Sequence, residues 1–287
     1  MNDVKNFSDP LLKEIADITD AEDLTGAYSL RKDGMSVELF STENIKISPK
    51  GDKPGIDIRI KSGSRDMVHM PVILTKPGLD DTVYNDFFIG EGADVVIIAG
   101  CGIHNDGHAQ SRHVGIHTFY LEKGAKVKYI EKHYGEGEGT GEKILNPETV
   151  INMGEGSHAE FDMIQLKGVD STVRTTTATL EAGAFLLVTE RVLTHDQQTA
   201  DSNITVVLKG CDSSVQVVSR SVAQNSSTQS FFARVEGHTS CKGHVQCDAI
   251  IMDNAKVRAV PEISAFHQDA QLVHEAAIGK IAGDQIL

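Results

Sequence analysis

The chain contains no tryptophan, and aromatic residues make up only 5% of its 287 residues. It also lacks a long apolar run, since stretches such as VVIIA at 95–99 are far shorter than the roughly 20 residues of a membrane-spanning helix. The first residues, MNDVKNFSDPLLKEI, show no basic segment followed by an apolar one, as a secretory signal would. These absences argue against a membrane protein and a secreted protein, and they predict a cytoplasmic location.

Cysteine and basic residues are also scarce. The 4 cysteines are too few and too widely spaced for the disulfide framework of a small secreted domain, and they indicate free thiols. The formal net charge is −14, whereas a non-specific nucleic-acid-binding protein needs a cationic surface. Nucleic acid is therefore not an expected partner. No Ser lies in a G-x-S-x-G motif and no other nucleophile–base set stands out, so no catalytic residue is assigned.

A single helix is predicted, near the N-terminus. Asp9 is a suitable N-cap and Pro10 a suitable first-turn residue. The apolar residues that follow share one helical face: Leu11, Leu12, Ile15 and Ile18. We expect a helix over residues 9–20 that docks on the end of the main body. It would belong to an N-terminal helical segment, residues 1–35, which precedes a core domain of residues 36–287.

From about residue 36 the apolar pattern has a period of two, as in IDIRI at 56–60, which is typical of half-buried strands. The strands follow a recurring corner motif. The motif has an acidic or amide residue, often with Gly, and then a small residue, Ala or Ser. The small residue of this corner occurs at Ala93, Ala125, Ser157 and Ala184, with spacings of 32, 32 and 27 residues. Such recurrence favours the stacked coils of a β-solenoid. An antiparallel β-sandwich is the alternative fold.

Residues 101–117, CGIHNDGHAQSRHVGIH, combine one thiol with four imidazoles. Such a group could hold a transition metal, although its spacing matches neither a zinc finger nor H-E-x-x-H. The candidate metal ligands are Cys101, His104, His108 and His113. They would serve a metal-dependent β-helix enzyme. The alternative is a turn around N-D-G whose histidines are solvated or hydrogen-bonded.

The C-terminal segment contains Cys247, and it also contains His274 directly followed by Glu275 within the apolar frame LVHEAAIG. Thiolate, imidazole and carboxylate are all metal-ligand types. If the pair lies on a strand, His274 and Glu275 point to opposite faces, so only one of them can face a core. The alternatives are that Cys247 is a small buried apolar residue and that Glu275 pairs with Lys280 or Arg258.

Residues 243–281, GHVQCDAIIMDNAKVRAVPEISAFHQDAQLVHEAAIGKI, resemble the core of the SufB/SufD family of iron–sulfur cluster assembly proteins. The similarity lies in C-D beside a strand, in P-E-I, and in the ending H-E-A-A-I-G-K-I. It extends to residues 188–202 and 219–237, while CGIHNDGH and KHYGEGEGTG are similar to the shorter, single-type members of the family. The resemblance implies a right-handed parallel β-helix that serves as an assembly scaffold in the SUF system and is not itself an enzyme.

The resemblance also implies a transient iron–sulfur cluster bound by Cys247, His274 and Glu275. Thiolate is the favoured ligand of such clusters, and harder nitrogen and oxygen donors should make the cluster easier to release. The implied partners are a second copy of the chain, the ABC-type ATPase SufC, and acceptor or carrier proteins. HEA rather than HGA favours a SufB-like scaffold, and a SufD-like structural subunit without its own cluster is the alternative. The C-terminal helices with which family members hold SufC are expected to be missing from this chain.

Overall fold

The computed structural model describes residues 10–18 and 24–281. The chain is 67% strand and winds into a β-solenoid of about 8 turns, with one short helix. The predicted β-helix is therefore confirmed. The antiparallel sandwich is wrong, because the strands that were expected to form it pair in parallel from one turn to the next.

Two 10-stranded sheets face each other across a narrow lumen. Helix α1 comprises Pro10–Ala16. In spatial order, sheet A consists of β2 (Met35–Phe40), β1 (Ala27–Lys32), β5 (Arg65–Leu74), β7 (Asp94–His104), β9 (Lys126–Glu136), β12 (His158–Lys167), β14 (Phe185–Thr194), β16 (Ser214–Ala223), β18 (Cys241–Met252) and β20 (Ala270–Ile281). Sheet B consists of β19 (Lys256–Ala265), β17 (Thr228–Gly237), β15 (Thr199–Leu208), β13 (Ser171–Leu180), β10 (Lys143–Leu145), β8 (Ser111–Leu121), β6 (Asp80–Ile89), β4 (Gly55–Ile60) and β3 (Ile45–Pro49), and β11 (Glu148–Met153) lies between β8 and β13.

Alternate residues of each strand face the lumen, and parallel pairing in register stacks equivalent residues of successive turns. The small corner residues predicted from the sequence are buried; Ala93, Ala125 and Ala184 have no exposed surface. The preceding glycines have φ values near +64°, a conformation that costs glycine nothing, and each donates its N–H to a carbonyl of the next turn. The repeated corner therefore adds a hydrogen bond between successive turns to those of the parallel strands.

Later corners replace glycine with Asp or Asn in the same left-handed conformation. At one of these corners Asn225 has φ 56°, and its side-chain oxygen accepts a hydrogen bond from the backbone N–H of Asp196 at 3.0 Å. We expect Asn225→Gly to cost about 1 kcal/mol through the lost hydrogen bond. Asn225→Ala should cost about 1–2 kcal/mol more, because alanine is strained in this conformation. Urea unfolding of the two variants tests this order, and equal stability of the two would contradict it.

Helix α1 differs from its prediction in length and in place. It ends at Ala16, while Asp9 and residues 19–20 of the predicted helix lie outside the described residues. It packs on the outer face of sheet A rather than on the end of the solenoid, and a Cβ added to Gly100 of β7 would lie 2.2 Å from the carbonyl oxygen of Ile15. The first strand begins at Ala27, within the segment of residues 1–35 that was predicted as N-terminal and helical. No helix in the described ranges is long and apolar enough to cross a membrane.

Candidate functional site

The C-terminal candidate residues lie on the last two strands of sheet A. Cys247 on β18 faces the lumen and is 1% exposed. His274 on β20 pairs with Val245, which also faces the lumen, whereas Glu275 pairs with the outward-facing Gln246. The expectation that His274 and Glu275 point to opposite faces is therefore confirmed. Cys247 and His274 lie on neighbouring strands, and Cys247 is paired with Ala276, two residues beyond His274. Their Cα atoms are therefore about 8 Å apart, on one face of the sheet.

Glu275 has a partner that sequence analysis did not identify. Its Oε1 atom lies 2.8 Å from Nε2 of His244, which is on the outer face of β18. The alternative of an ion pair with Lys280 or Arg258 is therefore wrong. Because Glu275 and His244 remain partly exposed on the outer face, the carboxylate is accessible to a ligand or to a second protein surface.

Cys247 belongs to the apolar core and also lines a small cavity. The cavity measures about 30 Å³, which is room for one or two water molecules, and Glu190, Arg174 and Ser219 also line it. Burial, together with the nearby carboxylates of Asp248 and Glu190, raises the pKa of Cys247 to about 11. The thiol is therefore protonated at neutral pH, and binding of a metal or sulfide species at this position requires loss of a proton.

The candidate metal ligands within residues 101–117 are divided between the lumen and the outer surface of the solenoid. Cys101 and His113 face the lumen, and His113 bonds the carboxylate of Asp81 at 3.0 Å. His104 and His108 lie on the surface side. Among residues 10–18 and 24–281, no three His, Cys, Asp or Glu side chains are grouped so that they could hold a metal ion. The structure therefore does not bring Cys101, His104, His108 and His113 together.

The surface histidines are engaged in hydrogen bonds, as the alternative interpretation of this segment expects. The ring nitrogens of His104 face two different carboxylates, Asp106 at 2.8 Å and Glu136 at 3.1 Å. Nδ1 of His108 lies 2.8 Å from the hydroxyl of Thr140. Because the two carboxylates lie on opposite sides of the His104 ring, these three side chains cannot bind one ion together.

A buried group of charges inside the lumen was missed by sequence analysis. Arg174 of sheet B forms an ion pair with Glu131 of sheet A, and its Nε lies 3.8 Å from Oε1 of Glu190. All three side chains are almost completely buried. The sequence does contain an indication that Arg174 is buried. In the strand STVRTTTATL alternate residues face the lumen, and Arg174 is in the same alternate set as the buried Ala178 and Leu180.

The two carboxylates of this group differ in their electrostatics. Burial alone would raise the pKa of Glu131, but the Arg174 guanidinium overcomes this effect and holds it at about 2. Burial dominates at Glu190 and raises its pKa. Oε1 of Glu190 accepts a hydrogen bond from Ser202 at 2.6 Å, while its Oε2 has no hydrogen-bond partner. The Arg174 guanidinium thus outweighs the effect of burial on the pKa of Glu131, but not on the pKa of Glu190.

This charged group and the thiol belong to one column of the lumen. Register pairing along sheet A stacks Glu131, Met163, Glu190, Ser219 and Cys247 on successive strands. Since neighbouring strands lie about 4.8 Å apart, Glu190 is two strands from Cys247 with only a serine between them. The column thus places Ser219 and Glu190 on the same side of the sheet as the thiol, while Cys247 also belongs to the apolar core.

The chain matches the family model of the SUF system FeS cluster assembly, SufBD core domain, over residues 84–287. It is 28% identical over 272 residues to an "Iron-sulfur cluster assembly SufBD family protein" of Methanothermobacter thermautotrophicus, covering 91% of this chain and 65% of the relative. A protein of the same description from Archaeoglobus fulgidus is 28% identical over 248 residues, covering 85% of this chain and 65% of the relative. A chloroplastic SufBD family protein of Arabidopsis thaliana is 26% identical over 208 residues, covering 68% of this chain and 36% of the relative. The chain thus spans just under two thirds of the length of the two archaeal relatives and about a third of the Arabidopsis protein.

Proposed function

The chain belongs to the SufBD family of iron–sulfur cluster assembly proteins, and we propose that it is the scaffold subunit on which a labile cluster is built and then released. The cluster is cargo in this proposal and the chain is not an enzyme. Cys247, His274 and Glu275 are its proposed ligands. The relatives' descriptions support the assembly role in general, and the scaffold role rests on the residues of the last two strands.

The observation that carries the proposal is the position of Cys247 and His274. The two side chains lie on one face of adjacent strands at the end of sheet A, where β20 is the last strand. A soft thiolate and a borderline imidazole suit ferrous iron and iron–sulfur clusters. The deep burial of Cys247 and the exposure of His274 would place a cluster at the end of the lumen, where it can still leave.

The proposed ligand set favours release over permanent binding. Only one of the three proposed ligands is a thiolate, whereas tightly held clusters use four. The raised pKa of Cys247 weakens cluster binding further, because a proton competes with iron for the sulfur. A scaffold must surrender its cluster, so weak and proton-sensitive binding is consistent with the role.

The proposed partners follow from the same assignment. We propose a homodimer formed through the exposed edge of β20, because this edge has no strand partner within residues 24–281 and offers a row of backbone donors and acceptors. We also propose that the protein acts with the ABC-type ATPase SufC and with acceptor or carrier proteins. The free state of the four cysteines fits a reducing compartment, and the cytoplasm is the proposed location.

Anaerobic reconstitution with ferrous iron and sulfide tests the scaffold proposal. We expect a sulfide-to-iron charge-transfer band in the visible spectrum of the wild-type protein and its loss in Cys247→Ala. Cys211→Ala is the matched control, because Cys211 is exposed and lies away from the proposed site. An unchanged band in Cys247→Ala would refute the assignment of this ligand.

A second candidate function is a SufD-like structural subunit that holds no cluster of its own. The observation in its favour is the burial of Cys247 within the apolar core, which resembles that of a cysteine with a packing role. This alternative predicts no charge-transfer band in the wild type or in Cys247→Ala, together with stimulation of the SufC ATPase by both proteins.

A further inference from the structure

The outer face of sheet A carries a continuous row of apolar and small residues, which we term the outer strip. Register pairing aligns its members on either side of β12: Ile73, Gly102 and Tyr134 on β5–β9, and Leu193, Val222, Ile250 and Gly279 on β14–β20. At β12 the register shifts, so that Tyr134 pairs with Lys167, and the neighbouring Leu166 supplies the apolar side chain between the two parts. The row runs perpendicular to the strands, near their C-terminal ends. An outward-facing apolar row of this length on a protein surface calls for a partner.

Helix α1 covers the first part of the outer strip. Leu11, Leu12 and Ile15 of the helix form a buried apolar cluster with Ile73, and Tyr134 packs against this cluster. Gly102 allows this close approach, since a Cβ at that position would lie 3.3 Å from the side chain of Ile15. The covered part therefore shows how this sheet face receives a helix.

The remaining part of the outer strip is bare among the described residues. Leu166 is 52% exposed and Ile250 is 41% exposed. Together with Leu193 and Val222 they line an open groove of about 600 Å³ on strands β12–β20. The groove thus continues the surface that α1 occupies, without a helix on it.

A second row of residues, beside the strip, carries the charges that complement a helix. Where α1 covers the sheet, this second row contains Lys132. Its Nζ atom lies 2.5 Å from a carboxylate oxygen of Asp17, the residue that directly follows α1. Register pairing continues this row through Ile164 to Arg191 and Arg220 in the bare part, and then to Asp248 and Ala277 on the last two strands. Arg220 is exposed, and Arg191 has only a 3.6 Å contact with Asp162.

We propose that the bare part of the outer strip is a docking site for an amphipathic helix of a partner protein that carries acidic residues beside its apolar stripe. The apolar stripe would cover Leu193, Val222 and Ile250, and the acidic residues would meet Arg191 and Arg220, as Asp17 meets Lys132. Four gaps of about 4.8 Å between β12 and β20 give about 19 Å, which is the length of a helix of about 13 residues. The site faces away from the lumen, so it is separate from the proposed cluster ligands Cys247 and His274. On β20 it lies beyond the outward-facing Glu275, towards the C-terminal end of the strand.

Two designed peptides of opposite charge test this proposal. Both have about 18 residues and the same leucine stripe, flanked by glutamates in one peptide and by lysines in the other. Binding to the full chain is measured by fluorescence anisotropy. We expect the acidic peptide to bind at least tenfold more tightly than the basic one, with an advantage that decreases as salt is added. Equal binding of the two peptides, or binding of neither, would overturn the proposal.

Variants of the chain locate the binding. Ile250→Asp should abolish binding of the acidic peptide, and the double variant Arg191→Glu, Arg220→Glu should reverse the preference in favour of the basic peptide. Met35→Asp on β2, which is 68% exposed at the other end of sheet A, is the control and should bind as the wild type does. Circular dichroism confirms that each variant is folded. Retained binding in Ile250→Asp would refute the site. Self-association that Ile250→Asp abolishes, without any peptide binding, would assign the strip to a second copy and overturn the proposal.

Discussion

Replacing Arg174 with methionine is expected to lower the free energy of unfolding at pH 7 by about 3–5 kcal/mol. The substitution removes the guanidinium that joins sheet B to Glu131 and Glu190 of sheet A. Two buried carboxylates then remain without a cation, and removing one partner of a buried ion pair is far more costly than removing both. Urea unfolding followed by circular dichroism measures the loss.

The pH dependence of the Arg174→Met penalty provides a second readout. In the wild type the pKa of Glu131 is lowered to about 2 from an ordinary value of 4.5, so its contribution to stability is present above about pH 4.5 and is lost as the pH falls towards 2. Without Arg174, burial is the main influence on Glu131, and it favours the protonated form. The difference in stability between the variant and the wild type should therefore shrink as the pH falls from 7 to 4.

Two further variants separate charge from packing at Arg174. The triple variant Arg174→Met, Glu131→Gln, Glu190→Gln removes all three charges and should recover much of the stability lost in Arg174→Met. Arg191→Met, at an exposed arginine on the outer face, should change the unfolding free energy by less than about 1 kcal/mol. If Arg174→Met were as stable as Arg191→Met, the buried group would not be a stabilising contact between the sheets.

The stacked-coil architecture could be predicted from the sequence because its main cause is local. A glycine with positive φ followed by a buried Ala or Ser recurs at four of the corners, and the strand pattern with period two then fixes which side chains face the lumen. The same period predicted that His274 and Glu275 lie on opposite faces. These features depend on neighbouring residues of the chain, which the sequence contains directly.

The features that could not be predicted depend on contacts between distant turns. Arg174 meets Glu131 over 43 positions of the sequence, and no local pattern indicates that pairing. The histidines at 104 and 113 are close in sequence, but the chain passes from the surface into the lumen between them, so sequence proximity was misleading. The place of α1 depends on Gly100 and Gly102 of a strand more than 80 positions away, whose role becomes visible only when the helix is seen on them.

The arrangement of the proposed ligands predicts that Cys247 and Glu275 of the same chain do not bind one cluster. The thiol faces the lumen, while the carboxylate lies on the outer face of the next strand. If both are ligands, the carboxylate must come from a second chain. In a symmetric dimer each of two equivalent sites would then use Cys247 of one protomer and Glu275 of its partner.

Mixed dimers of Cys247→Ala and Glu275→Ala chains test this arrangement directly. Each variant alone should fail to assemble a cluster. In a mixed dimer, purified through two different tags after co-expression, one site receives both wild-type ligands and the other receives neither. We therefore expect the mixed dimer to bind about half the iron and sulfide of the wild-type dimer, measured by chemical analysis and by the charge-transfer band. Cluster-free mixed dimers would show that each chain supplies all its own ligands, which would require β20 to turn its outer face towards the lumen. Normal assembly by Glu275→Ala alone would remove the carboxylate from the ligand set and leave Cys247 and His274, which already share one face, as the ligands within one chain.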